Sequence, residues 1–288
     1  MIKYNPKDWF GLIFQFHKSD TLRQMVWVLL LFALYTTALV WVENQVPDMG
    51  YFSKTITIHS LLGFVIGLLL VFRTNTAYDK WWEGRIHWGA LVNYTRSFAM
   101  KIKAYVDDKE DDKEFAVSIS NFVIALKEHL REGTKIEELA DGGLEDIEKL
   151  KQAEHVPNMI VLKLHEKVQE YHRDGKINGE QLINLNKDLE SFMNILGACE
   201  RIRFTPIPYS YIMFLKKFIF TYTLTLPLGL AYDFNYWTVP IATFVLYIFG
   251  SLELLAEEIE EPFGLDNNDI STDELSEKIK KNVYEILV

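Results

Sequence analysis

The stretch GFVIGLLLVFRTNTAYDKWW, residues 63–82, begins as an unbroken apolar run and turns polar and charged at Arg73. Within the run, Phe64, Leu68 and Phe72 recur at four-residue spacing. On a helix this spacing places the three side chains on one face, in a stripe about 12 Å long at a rise of about 1.5 Å per residue. The stretch therefore predicts a helix with one face of bulky apolar side chains.

Gly63 and Gly67 form a second stripe beside the first, at the small-xxx-small spacing that lets membrane helices approach closely. One interpretation is that several copies of the helix pack around an axis through their glycines and direct the bulky stripe inward. That arrangement would make a narrow hydrophobic constriction of the kind that gates by dewetting. The alternative is ordinary helix packing, the commoner reason for glycine pairs and aromatic stripes. The spacing alone leaves both interpretations open.

Four segments have the length and polarity of membrane helices. A soluble protein can bury one such run in its core. In a chain of 288 residues, however, four runs leave too few other residues to cover them. No strand pattern is convincing, so the sequence predicts an all-α integral membrane protein with four transmembrane helices. The segments are residues 25–42, 56–72, 218–232 and 236–255.

The distribution of basic residues predicts the orientation of these helices. Lysines and arginines precede the first segment and follow the second, whereas the short connections 43–55 and 233–235 carry few. The positive-inside rule then places both termini and the long middle region in the cytoplasm, in a multi-pass protein of the cell inner (plasma) membrane. The predicted order is a cytosolic segment 1–24, membrane helices in 25–72, a cytosolic helical region 73–203, membrane helices in 204–255, and a cytosolic segment 256–288.

The middle region carries the periodicity of soluble amphipathic helices. Its clearest stripe is Phe115, Ile119, Phe122, Leu126 and Leu130, which share one helix face. A second helix begins near a proline suited to an early helical turn and stops at a glycine, within residues 157–175. A third, within residues 182–199, alternates apolar spacings of three and four, as a helix packed lengthwise on another does.

Composition and motifs argue against several classes of function. The formal net charge is −10 and no basic stripe occurs, which disfavours nucleic acid as a partner. The single Cys199 cannot form an internal disulfide, and one thiol cannot build a zinc site alone. No P-loop, HExxH or clustered His/Cys motif is found, so no enzyme and no cofactor are expected. A membrane enzyme using His59, Glu253 or the charges of CERIR (residues 199–203) and a non-conducting scaffold remain the alternatives.

Three sequence elements together are similar to one known family. FRTNTAYDKWWEGRIHWGALV (72–92), CERIRFTPIPYSY (199–211) and EEIEEPFGLDNNDI (257–270) resemble the bestrophin ion channels, especially the bacterial members. The resemblance implies a homopentamer in membrane lipid, with a central pore for small ions and a vestibule built from the middle helices. It also implies a pore neck on the second membrane helix, at Phe64, Leu68 and Phe72, the positions that the stripe had selected.

The resemblance implies two further sites. A cytosolic aperture is expected near the start of the helix that leads to CERIR, at Leu182 with Ile183 next, although both residues equally begin the packing stripe of that helix. Animal members bind calcium after Pro-Phe-Gly, where this chain has Leu265 and then Asp266, Asn267, Asn268 and Asp269. Calcium needs six to eight oxygen ligands, so we expect a degenerate clasp without metal. The two aspartates are expected to serve as caps of a helix that begins after either Asp269 or Ser271.

For two other polar residues the sequence allows more than one role. Arg73 follows the neck, where a ring of arginines would attract anions. Alternatively, it forms a salt bridge with Asp79 or Glu83, or it only anchors the helix end. His59 is either a proton-sensitive gate or a buried histidine. Anion (chloride) conduction is favoured because it prevails in the family, and a monovalent cation (sodium) channel of the same fold is the alternative.

Overall fold

The computed structural model describes residues 11, 21–46, 54–106, 108–144 and 146–288. Within these ranges the chain is all-α and contains no strand, as predicted. The predicted cytosolic segment 1–24 lies largely outside the described residues. The described α-helices are α1 (Thr21–Gln45), α2 (Ile56–Tyr105), α3 (Lys109–His129), α4 (Ile147–Leu150), α5 (Val156–Arg173), α6 (Gly179–Phe204), α7 (Tyr209–Phe234), α8 (Thr238–Glu260) and α9 (Thr272–Leu287).

The chain divides into two compact units. The first, called here the helical unit, comprises Trp81–Thr205 and Glu261–Val288. The second, called here the apolar unit, comprises the described residues up to Lys80 together with Pro206–Glu260. The boundary falls inside α2, which continues without a break from one unit into the other.

The helical unit has the amphipathic helices that the sequence predicts. All five residues of the predicted stripe on α3 are buried in its core, which confirms that stripe. The Asp108 carboxylate caps α3 by accepting the Glu110 N–H, and Asn178 and Gln181 form a reciprocal capping box at the start of α6. Pro157 lies in the first turn of α5, and Gly175, just beyond the end of that helix, has a φ of 72°.

Aromatic side chains hold the centre of the helical unit. The Phe122 and Phe192 rings stack with centroids 5.3 Å apart, and Phe98 meets Phe115 and Phe192 edge to face. All four rings are fully buried. Burying one such side chain stabilises a protein by about 1.5–3 kcal/mol, and well-oriented ring pairs add to that. This core therefore fixes how α2, α3 and α6 pack within the unit.

The apolar unit is built from α1, the first half of α2, α7 and α8. Ile66 and Leu70 of α2 are buried against Leu215, Ile219 and Leu226 of α7. Helix α8 packs against both α1 and α7. By length and composition, three helical stretches of the described chain can cross a membrane: Thr21–Gln45, Ile56–Tyr105 and Gly179–Glu260. The last of these stretches contains α6, α7 and α8.

Candidate functional site

The candidate pore face is the side of α2 that the chain leaves uncovered. Phe64, Leu68 and Phe72 are 71%, 47% and 57% exposed, whereas Ile66 and Leu70 between them are 0% and 1% exposed. A two-residue step turns a helix by about 200°, so these two sets lie on opposite faces. The face with Ile66 and Leu70 packs against apolar residues of the same chain. The predicted neck residues therefore share a face that needs lipid, water or another copy as its neighbour.

The two glycines beside the stripe have different surroundings. A Cβ atom on Gly63 would lie 2.8 Å from the Tyr222 hydroxyl oxygen of α7, so this position needs glycine for close approach of α2 and α7. Gly63 is a helix-packing glycine whose partner belongs to the same chain, which favours ordinary helix packing at this position over an axis through the glycines of several copies. A Cβ atom on Gly67 would have no neighbour within 4 Å.

Arg73 is not an exposed cation. Its guanidinium is 1% exposed, and its Nη2 lies 2.7 Å from Glu260 Oε2 while its Nε lies 3.7 Å from Glu253 Oε2. Position 73 follows the buried Ile66 by seven residues and therefore shares its helix face. A buried charge must be paired, and the partners come from α8 rather than from Asp79 or Glu83. The prediction that Arg73 attracts ions is thus contradicted by its burial.

Glu260 joins three parts of the apolar unit. One of its carboxylate oxygens faces Arg73, and the other accepts the Ile207 N–H at 2.9 Å and lies 3.5 Å from Lys80 Nζ. Glu253, named above as a candidate residue of a membrane enzyme, is buried beside Arg73. Sequence analysis missed this ion cluster. Its signal is the seven-residue spacing of the two glutamates, which puts both on one face of α8.

The charge that shares the neck face is Asp79. It lies seven residues after Phe72, so it projects from nearly the same side of α2, roughly 10 Å further along the axis. Asp79 and Asn75 are both exposed, like the neck residues before them. The uncovered face of α2 therefore changes from aromatic and aliphatic to polar and acidic after the neck.

His59 is a buried histidine with partners on both ring nitrogens. Its Nδ1 lies 3.0 Å from the Thr55 carbonyl oxygen and its Nε2 lies 3.0 Å from the Thr225 hydroxyl. The ring is 5.4 Å from that of Tyr222, centroid to centroid. These contacts agree with the buried alternative and give no support to a water-exposed gate.

The two predicted aperture residues point in different directions at the start of α6. Leu182 packs against the core of the helical unit, whereas Ile183 is largely exposed. Because a pore-lining side chain must be uncovered in the single chain, the packing of Leu182 favours its role in the core. Ile183 is the residue of the pair that is free to meet another copy.

The segment after Pro-Phe-Gly does not fit calcium. The Asp269 carboxylate accepts the Asp266 N–H at 2.7 Å, and the Leu265 side chain is highly exposed. Arg131 brings a guanidinium to the same place: it donates to the Phe263 carbonyl oxygen at 3.3 Å and to Asp273 Oδ2 at 2.6 Å. A fixed cation and two neutral amides disfavour a divalent ion.

The predicted capping role of the two aspartates is wrong. Helix α9 begins after Ser271, one of the two predicted starts, and that residue occupies the N-cap position without a side-chain hydrogen bond. The Asp269 carboxylate instead folds back on the loop, where a Cβ atom on Gly264 would lie 2.8 Å from it. The carboxylate of Asp269 is thus engaged by the loop itself.

The charges of CERIR are engaged in the helical unit. Arg201 Nη2 lies 2.6 Å from Glu83 Oε1, and Arg203 Nη1 lies 2.5 Å from Glu261 Oε2. Both arginines are therefore paired on the surface, where such pairs contribute little stability. Glu200 faces two histidines, His129 and His155, which no sequence motif had grouped with it.

Comparisons with known proteins agree with this architecture. The family described as Bacterial/Fungal Bestrophin protein matches residues 1–285. A voltage-dependent anion channel-forming protein of Nostoc sp. is 33% identical, over 97% of this chain and 92% of its own length. The voltage-dependent anion channel-forming protein YneE of Escherichia coli (strain K12) is 31% identical, over 99% of this chain and 94% of its own.

Solved structures resemble the fold as well. A crystal structure of a bacterial bestrophin homolog from Klebsiella pneumoniae superimposes with a TM-score of 0.81 at 25% identity, over 91% of this chain and 98% of that one. This chain therefore belongs to the bestrophin family, in the branch described as bacterial and fungal.

Proposed function

We propose that the protein is a pentameric anion channel of the cell inner membrane, with its neck at Phe64, Leu68 and Phe72. The observation that carries the proposal is the uncovered stripe on α2, because its three large side chains lie opposite a face that the chain itself buries. Five copies arranged around one axis give this stripe a partner, namely the same stripe of the other copies. Apolar side chains at that position oppose a continuous water column.

The proposed topology has four spans, in α1, the first half of α2, α7 and α8, with both termini in the cytoplasm. The helical unit then supplies the vestibule, and the cytosolic and membrane segments keep the bounds 1–24, 25–72, 73–203, 204–255 and 256–288. Ile183 is the proposed aperture residue, since Leu182 packs in the core. Family membership and three membrane-length stretches support this arrangement.

Anion conduction, with chloride as the expected ion, rests on the relatives. The relatives of Nostoc sp. and E. coli are named as anion channel-forming proteins and align along nearly all of this chain. An apolar neck hinders dehydrated and hydrated ions of either sign and does not by itself select one. We therefore propose that the permeating ion is an anion, as the names of these relatives state.

The test is a planar bilayer recording of the purified protein. Shortening Phe64, Leu68 and Phe72 together to alanine should raise the unitary current severalfold, because the constriction widens and wets. The matched control shortens Leu31 and Leu34, exposed apolar side chains of α1, and should leave the current unchanged. Equal currents in the neck variant and the control would refute the neck, and a monomer or dimer by native mass spectrometry would refute the pentamer.

A monovalent cation channel of the same fold is the second candidate, and a specific observation favours it. Asp79 is exposed on the neck face, whereas Arg73, the cation that directly follows the neck, is buried and paired with two glutamates. Five Asp79 carboxylates on one axis would attract cations. In a NaCl gradient, a reversal potential near the sodium equilibrium value that Asp79→Asn moves toward zero would select this candidate over the anion channel.

A further inference from the structure

A cluster of three metal-ligating side chains lies in the helical unit, away from the proposed pore face. His129 ends α3, His155 stands at the N-cap of α5, and Glu200 belongs to the last turns of α6. The two histidine Nε2 atoms each lie 2.7 Å from the same oxygen, Glu200 Oε1. All the ligand atoms fall within 4.8 Å of one another.

The orientation of the rings makes this more than a chance meeting of polar groups. The two imidazoles lie 4.5 Å apart, centroid to centroid, and turn their Nε2 atoms to one point. Phe204 packs edge to face on the His129 ring, with centroids 6.0 Å apart. His155 is held from behind, because its Nδ1 accepts the Asn158 N–H at 3.3 Å. This contact fixes the orientation of the His155 ring in the metal-free protein.

The chemistry of the three ligands selects the ion. From these residues we infer a zinc site in which His129, His155 and Glu200 supply two imidazole nitrogens and one carboxylate oxygen. Zinc takes nitrogen and oxygen ligands at about 2.0–2.2 Å in tetrahedral geometry, and three protein ligands leave the fourth position to water. Calcium and magnesium prefer all-oxygen sets, which this cluster lacks.

Zinc fits after a small adjustment. Ligand atoms around a tetrahedral zinc are roughly 3.3 Å apart at these bond lengths, so each Nε2–Oε1 separation must open by about 0.6 Å. Each neutral ring must shift its single proton from Nε2 to Nδ1, which frees the Nε2 lone pair for the metal. On His155 that proton ends the acceptor role of Nδ1 toward Asn158, so we expect a micromolar rather than a nanomolar dissociation constant.

The site is open enough to load without unfolding. The side chains of His129, His155 and Glu200 are 19%, 30% and 29% exposed. A carboxylate oxygen flanked by two imidazole nitrogens is a ligand set that zinc accepts.

The test uses the full chain in detergent, stripped with a chelator and titrated calorimetrically with zinc chloride. We expect one zinc per chain and at least about a tenfold loss of affinity in His129→Ala and in Glu200→Gln. Glutamine keeps a hydrogen-bond acceptor for the two rings, so this variant tests the ligand charge with the fold preserved. His172→Ala, which removes an exposed histidine of the same unit, is the matched control and should bind like the wild type.

Cobalt(II) provides a second measurement on the unmodified protein. Bound cobalt should give the intense visible absorption of a tetrahedral site, and zinc should abolish it. Equal zinc affinity in the wild type, Glu200→Gln and His129→Ala would overturn the inference. Wild-type protein that binds no zinc, or cobalt bound with an octahedral spectrum only, would overturn it as well.

Discussion

Two apolar stripes with nearly the same spacing differ in burial in this molecule. The stripe of α3, from Phe115 to Leu130, is buried inside the helical unit. The stripe of α2, from Phe64 to Phe72, is exposed in the apolar unit. Periodicity identifies the apolar face of a helix in both cases, but it does not say whether the partner of that face lies in the same chain.

The difference has a physical cause. The stripe of α3 lies in a helix that begins and ends with charged residues, and the chain's own core removes it from water. The stripe of α2 lies in a helix that is apolar on almost every side, where lipid serves as well as protein. For such a helix the exposed face is the informative one, because it shows what the single chain leaves for other copies or for lipid.

The largest expected difference in stability is between alanine substitutions of two phenylalanines, one in each stripe. Phe122→Ala removes a ring stacked on Phe192 in the core, so we expect a loss of about 3–5 kcal/mol in the free energy of unfolding. Phe64→Ala removes a ring that no core covers and should change stability by less than about 0.5 kcal/mol. Chemical unfolding in detergent, followed by tryptophan fluorescence, measures both.

The variants Phe64→Ala and Phe122→Ala test directly whether the two stripes differ in this way. Should Phe64→Ala cost as much as Phe122→Ala in monomeric protein, the stripe of α2 has a partner inside the chain and the proposed neck fails. A cost that appears only in the assembled protein locates the partner in another copy.

The second largest difference in stability is expected between substitutions of two charged residues of α2. Arg73→Met leaves the buried Glu253 and Glu260 without their cation, and removing one member of a buried ion pair costs about 3–5 kcal/mol. Asp79→Asn changes an exposed charge and should cost less than about 0.5 kcal/mol. Thermal unfolding midpoints of the two variants, measured in the same detergent, show which of the two charges stabilises the fold.

A rescue sharpens this prediction. Adding Glu253→Gln and Glu260→Gln to Arg73→Met removes the stranded charges and should restore part of the lost stability. A triple variant that is no more stable than Arg73→Met would show that the ion cluster is not the source of the effect.

The sequence predicted the fold further than it predicted the sites. Helix positions, the buried stripe of α3 and the starts of α5 and α9 follow from periodicity, proline and glycine, which act over a few residues. The pairing of Arg73 with Glu253 and Glu260 spans nearly 200 residues, and local spacing cannot show it. The cluster of His129, His155 and Glu200 was missed for the same reason, because three separate helices supply its members.

A smaller difference in stability is expected between alanine substitutions of the two glycines of α2. Gly63→Ala places a methyl group 2.8 Å from the Tyr222 hydroxyl oxygen, and such overpacking costs about 1–3 kcal/mol. Gly67→Ala meets open space in the single chain and should be neutral or stabilising by up to about 1 kcal/mol. Tyr222→Phe removes the clashing oxygen and should recover much of the loss in Gly63→Ala. Thermal unfolding of monomeric protein tests all three variants.

The smallest effect lies in the helical unit and depends on pH. Hydrogen bonds from Arg131 hold the pKa of Asp273 at about 2, below its ordinary 3.8. A lowered folded-state pKa stabilises the protein above the unfolded value, and the gain is lost as the pH falls from about 4 through 2. Because the Asp273 side chain is more than half exposed, water screens the pair, and we expect a change of at most about 1 kcal/mol.

Asp273→Asn isolates this contribution, because the amide cannot titrate and keeps a polar side chain of the same shape. Unfolding of wild type and variant at several pH values between 5 and 2 should show a stability gap that narrows as the pH falls. A gap that stays constant, or one that widens in acid, would assign the low-pH loss to other carboxylates.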